Sequence, residues 1–216
     1  MKFSFVHRLL LALTQKANLL AEHAGQIGLL FFNLSLASIR LRVSSKAIFR
    51  QINLIGIQSV PIVLLAAGLV GVVTSQQGGY QMQSSLPVYI MGSIVVESVV
   101  LEMGPVLTAI VMIGRVGARI TAELGTMRVS EQIDALYSVG RDPVEVLAAP
   151  RVLDMMISMP LLVALANMVG ILTGMISAQY TLGLGIERFF YGARLWWHSY
   201  DMFYSLLKAF FFGMAI

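Results

Sequence analysis

Two glutamates interrupt an apolar run, and they are the residues in this sequence best placed to do chemistry. Glu97 and Glu102 lie within residues 86–114, a stretch long enough to cross a bilayer. A charged side chain at bilayer depth costs at least about 2.5–3.5 kcal/mol on insertion scales, so it normally faces protein or water and marks function. Five residues at about 100° each set the two about 140° apart on a helix, so they form no carboxylate pair on that helix alone. Glu102 stands three residues before Pro105, where a loosened helix can open to water. The competing reading is a protonated or hydrogen-bonded glutamate that fixes helix packing. Elsewhere the chemical inventory is thin. His7, His23 and His198 are scattered without metal-ligand spacing, and cysteine is absent, so there is no thiol nucleophile and no thiolate metal site. The sequence contains no GxxxxGK[ST], G-x-S-x-G or H-E-x-x-H pattern. No residue is assigned a catalytic or metal-binding role, and no cofactor is expected in this chain.

The elements that must position these glutamates are membrane helices. The chain has 216 residues, 57% hydrophobic and 12% charged, with a mean hydropathy of +0.81. Soluble domains are about 25% charged. Half that charge, together with long apolar runs, predicts a membrane protein. The net charge of +4 is unevenly spread. Residues 1–50 hold seven Lys/Arg and one acid, and residues 115–151 hold five of each sign. Twelve of the 15 basic residues thus fall in two segments, which the positive-inside rule places on the cytoplasmic side. No basic-aromatic surface suggests nucleic acid.

Residues 1–26 have apolar positions at roughly helical spacing, interrupted by Lys2, Arg8 and Lys16, and read as an amphipathic helix on the membrane surface. The 13-residue apolar run 27–39 is too short to span and is expected to be interfacial or re-entrant. Arg40, Arg42, Lys46 and Arg50 follow, suited to anionic headgroups or serving only as a topology signal. Residues 52–73 make the first span, with a kink expected at Pro61. Residues 74–85, with Gly78–Gly79, read as a non-cytoplasmic turn or a break in a helix. Residues 86–114 make the second span. Residues 152–178 make the third, with Gly170 and Gly174 on one face. Residues 179–202 read as amphipathic and outside, with Trp196 and Trp197 in the interfacial belt. Residues 203–216 open a fourth span near Lys208. A 14-residue run cannot cross alone, so the sequence is expected to be a fragment.

Between the second and third spans lies a charged island, residues 115–143. Arg119, Glu123, Thr126, Ser130 and Asp134 fall on one helical face. Its apolar residues hold no single stripe: Ile120, Leu124 and Met127 lie on one side, and Val129, Ile133 and Leu136 nearly opposite. A straight helix of that kind needs two partners, or it bends near Gly125. Both options suit a helix wedged between a membrane body and a soluble protein.

The stretch GPVLTAIVMIGRVGARITAELGTMRVSEQIDALYSVGRDPVEVLAAPRV, residues 104–152, resembles the signature of the MlaE-type permeases, the membrane subunits of ABC transporters that act on lipids with MCE-domain proteins. The similarity extends from about residue 50 to residue 216. The resemblance implies a homodimer of permeases and cytoplasmic ATPase subunits that bind the ATP. It further implies a periplasmic MCE-domain hexamer and, in some systems, a STAS-domain protein. Segment 115–143 would supply the ATPase-coupling contact, with Arg119, Glu123, Arg128, Glu131 and Asp134 as its coupling residues. By position, the resemblance implies that the lipid cavity would be lined near the E-x-G-P pattern Glu102–Pro105 and the end of the first span, at Gln81, Met82, Ser85, Leu101, Glu102 and Met103. A well-known relative has Arg immediately before this glutamate. Leu101 stands there in this sequence, so the pocket is expected to be less positive. The family normally continues several dozen residues beyond this point.

The reading is therefore an all-α polytopic transmembrane permease of the bacterial inner membrane. It has an N-terminal interfacial segment, 1–50, a transmembrane domain, 51–216, and a cytoplasmic coupling helix. It is expected to be non-enzymatic by itself and to move phospholipid between the inner membrane and a periplasmic MCE system, maintaining outer-membrane lipid asymmetry. The alternatives are a proton-coupled secondary transporter using Glu97 or Glu102, and a passive membrane scaffold.

Overall fold

A computed structural model describes residues 14–16, 18–26, 28–29, 49, 51–82 and 87–216 of the chain. Every regular element among them is helical. Residues 14–16, 18–26 and 28–29 are helical and exposed. Arg40, Arg42, Lys46 and Arg50, with residues 27 and 30–39 of the expected interfacial run, lie outside the described residues. Among the described residues three helices are long and apolar enough to cross a membrane: α1, Ile52–Gln81; α2, Val88–Val129; and α4, Val144–Leu182, with mean hydropathies of 2.1, 1.9 and 2.1 over an 18-residue stretch of each. A short helix α3, Gln132–Ser138, lies between α2 and α4. Helices α5, Ile186–Leu195, and α6, Ser199–Ala215, follow.

Helix α4 is the central post, packed on by α1 and α6 along much of its length and by α2 near its middle. The α1–α4 contact is made by small residues. A Cβ on Gly71 would overlap the Gly170 carbonyl, and one on Gly174 would meet Val95 and the Gly71 carbonyl. Gly170 and Gly174 thus form the groove into which α1 and α2 settle, and Thr173 Oγ1 donates across it to the Gly68 carbonyl at 2.9 Å. Two apolar cores result. One, near the charged end, gathers Ile55, Val63, Met112, Val116, Met155 and Met159. The other, near the far end, gathers Met91, Val95, Val99, Leu184 and Phe189.

Several expected boundaries move. Residues 74–81 continue α1 instead of turning. Gly78 and Gly79 are there for close packing, against Met91 and Leu182, and the uncharged TSQQ segment tolerates the helix. Helix α2 does not stop at Gly114 but runs unbroken through the island to Val129, 42 residues in all. For the island the options are two partners or a bend near Gly125, and the helix runs on through Gly125 without a break. The chain breaks at Ser130–Glu131, where Glu131 takes φ 56°, and this break assigns Val129 to α2 but Ile133 and Leu136 to α3. Helix α4 ends at Gly183, φ 62°, with the Leu184 N–H returning to the Ala178 carbonyl, a glycine-capped stop. Pro61, where the kink is expected, is the second residue of the α-helical part of α1. The helix passes through π and 3-10 turns over Ile52–Ser59 just before this proline.

Helix α5 lies against the start of α2. Gly92 and Gly192 let the two backbones touch, and Ser93 Oγ donates to the Gly192 carbonyl. Trp196 and Trp197 remain exposed beside it. His198 and Asp201 form a reciprocal cap that starts α6.

Candidate functional site

Pro105 shapes the middle of α2. It has no N–H, so in an α-helix the carbonyl four residues earlier, Leu101, would lose its donor, and the ring would crowd that same carbonyl. The chain responds with a π-helical stretch, Ser98–Met103, directly before Gly104–Pro105. Such widenings are frequent at functional sites. The Leu101 carbonyl finds a donor on another helix: Lys208 Nζ of α6 donates to it at 2.8 Å. The same ammonium donates to Glu102 Oε1 at 2.9 Å and lies 4.7 Å from the centre of the Tyr204 ring. The lysine is mostly covered, with 21% of its side chain exposed, whereas the Glu102 side chain is 64% exposed.

Behind this pair three helices meet at one buried polar point. Asn167 of α4 donates from Nδ2 to Ser205 Oγ of α6 at 3.0 Å, and its Oδ1 lies against Gly104 of α2, where a Cβ would overlap it. Ser205 stands three residues before Lys208, so this contact fixes the register of α6 against α2 at the level of Glu102. On the other side of Met103, a narrow groove runs between α1 and α2, lined by Val63, Ala66, Val70, Met103 and Leu107. Glu102 itself does not line the groove; its neighbour Met103 does, with residues 63–70 half-way along α1.

The five described residues of the six expected around the cavity do not gather in one place. Leu101, Glu102 and Met103 share the π-helical stretch. Gln81 and Met82 lie at the far end of α1, and Met82 packs onto the core that contains Met91. Met91 is eleven residues up α2 from Glu102, about 16 Å along the axis. Ser85 lies outside the described residues. Glu97 is half-buried nearer the far end, close enough to Asp201 and His198 for electrostatic interaction. Lys208 is the residue that sequence reasoning missed. Its signal was a lone lysine in a 14-residue apolar run, which marks a partner by the same rule that singled out the glutamates.

At the charged end, most of the expected coupling residues have partners within the chain. Arg119 Nη1 donates to the Leu54 carbonyl at 3.1 Å and to Gln58 Oε1 at 3.4 Å, tying α2 to the base of α1. Glu123 pairs with Arg151 of α4 at 2.9 Å, and the arginine side chain is only 6% exposed. Arg128 pairs with Asp134 across the break between α2 and α3 at 2.9 Å. Glu131 forms the left-handed corner and is exposed. Ile120 packs onto the nearby core, while Val129, Tyr137 and Val139 stand out from the tip. One turn beyond Arg151, Asp154 is fully buried and accepts a hydrogen bond from Ser158 Oγ at 2.6 Å. Among the described residues no group of three or more His, Asp or Glu is placed to hold a metal.

The family model described as Permease MlaE matches residues 48–216. A probable ABC transporter permease protein of Rickettsia conorii is 34% identical over 196 residues, covering 91% of this chain and 76% of the relative. One from Synechocystis is 34% identical over 175 residues, covering 81% and 66%. The intermembrane phospholipid transport system permease protein MlaE of Haemophilus influenzae is 31% identical over 195 residues, covering 89% and 74%.

Proposed function

The chain belongs to the MlaE permease family, and from that premise we propose that it is the membrane subunit of an ATP-driven phospholipid transporter in the bacterial inner membrane, with its cargo held at the Glu102–Lys208 level. The observation that carries this reading is the ion pair itself. An opposed carboxylate and ammonium sit half-way along the spans, beside an apolar groove. That combination suits an amphiphile, with a polar head at the pair and an acyl chain along Val63, Ala66 and Val70. The Haemophilus relative's name supports phospholipid as the cargo class.

The rest of the assembly follows the same reading. A partner ATPase binds ATP and docks on the island, whose exposed Val129, Tyr137 and Val139 offer apolar contacts. Arg119 and Glu123 act behind that surface and hold the island to α1 and α4. A second permease copy completes the cavity, and a periplasmic MCE-domain hexamer receives or delivers lipid at the far end, with a STAS-domain protein on the ATPase. The proton-coupled alternative uses the same glutamates without any ATPase.

A photoreactive side chain at position 103, in the assembled transporter, is expected to label phospholipid. An intact assembly that shows no lipid labelling there would sink the cargo site. Transport that persists on a proton gradient with the ATPase removed would replace the ATP-driven mechanism.

A further inference from the structure

The donors and acceptors left open at the mid-span pair are unequal. Lys208 carries three N–H donors and no acceptor. Two are committed, to the Leu101 carbonyl at 2.8 Å and to Glu102 Oε1 at 2.9 Å, and the Tyr204 ring lies 4.7 Å from the ammonium. The lysine is also mostly covered. Glu102 is the reverse. An ionised carboxylate offers about four lone-pair sites, only one of them faces Lys208, and the side chain is 64% exposed. The free capacity of the site is therefore acceptor capacity with negative character. The pair as a whole is neutral, so an incoming headgroup that is itself net negative finds no uncommitted positive charge.

We infer that this site selects phospholipids whose headgroup carries a primary ammonium, in preference to anionic headgroups. The inference rests on the proposed lipid-carrying role and deepens it. The headgroup ammonium donates to the open Glu102 oxygens, and its phosphate lies on the Lys208 side, so each charge meets its opposite without leaving either protein group unpaired. A quaternary ammonium lacks N–H donors and makes only the charge contact, which places it between the two. An anionic headgroup must draw Lys208 away and strand Glu102. The discrimination is about the size of one charge-assisted hydrogen bond, roughly tenfold or more.

The assembled transporter, placed in nanodiscs of equimolar phosphatidylethanolamine and phosphatidylglycerol, tests this by mass spectrometry of the lipids crosslinked from position 103. The wild-type site is expected to enrich the ethanolamine lipid about tenfold, with phosphatidylcholine intermediate when substituted for it. Glu102→Gln should lower that ratio to near one, and Glu102→Asp should retain most of it. The wild-type ratio decides the matter even if the glutamine variant fails to assemble. Lipid crosslinked without preference, or with the glycerol lipid enriched, overturns the headgroup selectivity and leaves the lipid site standing. No crosslinked lipid in an intact complex overturns both.

Discussion

Lys208–Glu102 and Arg151–Glu123 are both 2.9 Å ion pairs that join α2 to a neighbouring helix, yet their burial differs. In the pair at the charged end, the guanidinium is 6% exposed and its carboxylate 43%. In the mid-span pair, the ammonium is 21% exposed and its carboxylate 64%. Arginine cannot shed its proton, so a sealed guanidinium depends on its counter-ion. Lys208 has a carbonyl and an aromatic face in reserve. Equal distances thus accompany unequal surroundings: one pair anchors the island to the spans, and the other leaves its carboxylate largely uncovered.

Three substitutions grade that contrast. Glu123→Ala strands the buried guanidinium and is expected to destabilise the protein most, by about 3 kcal/mol, read as a lower midpoint of thermal unfolding in detergent. Glu102→Ala should cost less than Glu123→Ala, because the lysine keeps its carbonyl and ring contacts, while lipid crosslinking from position 103 falls sharply. A midpoint as low as that of Glu123→Ala would show that the mid-span pair is structural, and the contrast would collapse. Arg128→Ala removes a pair whose side chains are 66% and 57% exposed. It is expected to change stability by less than about 0.5 kcal/mol. A larger loss would mean that the break between α2 and α3 depends on that contact.

Much of this architecture was legible in local pattern. The apolar runs located the three long helices, and the charge island between the second and third was evident from composition. Glu102 and Pro105 marked the centre of the proposed site. The missing parts are contacts between distant positions. Lys208 lies 106 residues from Glu102, and no periodicity within either helix ties them together. Nothing in the local sequence around Asn167 connects it with Gly104 and Ser205, which meet it. Gly78 and Gly79 were misread because a glycine pair in a polar stretch is an equally good turn and an equally good close-packing surface. Only the neighbours, Met91 and Leu182, decide which. Glu131 gave no sign of its positive φ, since the left-handed conformation favours Gly or Asn.

The unbroken course of α2 has a mechanical consequence. Its far end is clamped by α5 at Gly92, and its tip at Val129 lies 37 residues away, whereas Glu102 lies only ten. At 1.5 Å per residue these arms are about 55 and 15 Å. A rod pivoting at the clamp would be geared down by a factor of roughly four. A swing of about 4 Å at the tip would become about 1 Å at Glu102, enough to open a hydrogen bond from 2.9 Å to beyond its normal range. Spin labels at positions 102 and 129 would read both displacements together, and equal displacements would rule the pivot out. Under that gearing a coarse push at the tip of α2 would be delivered to the Glu102–Lys208 pair as a fine one.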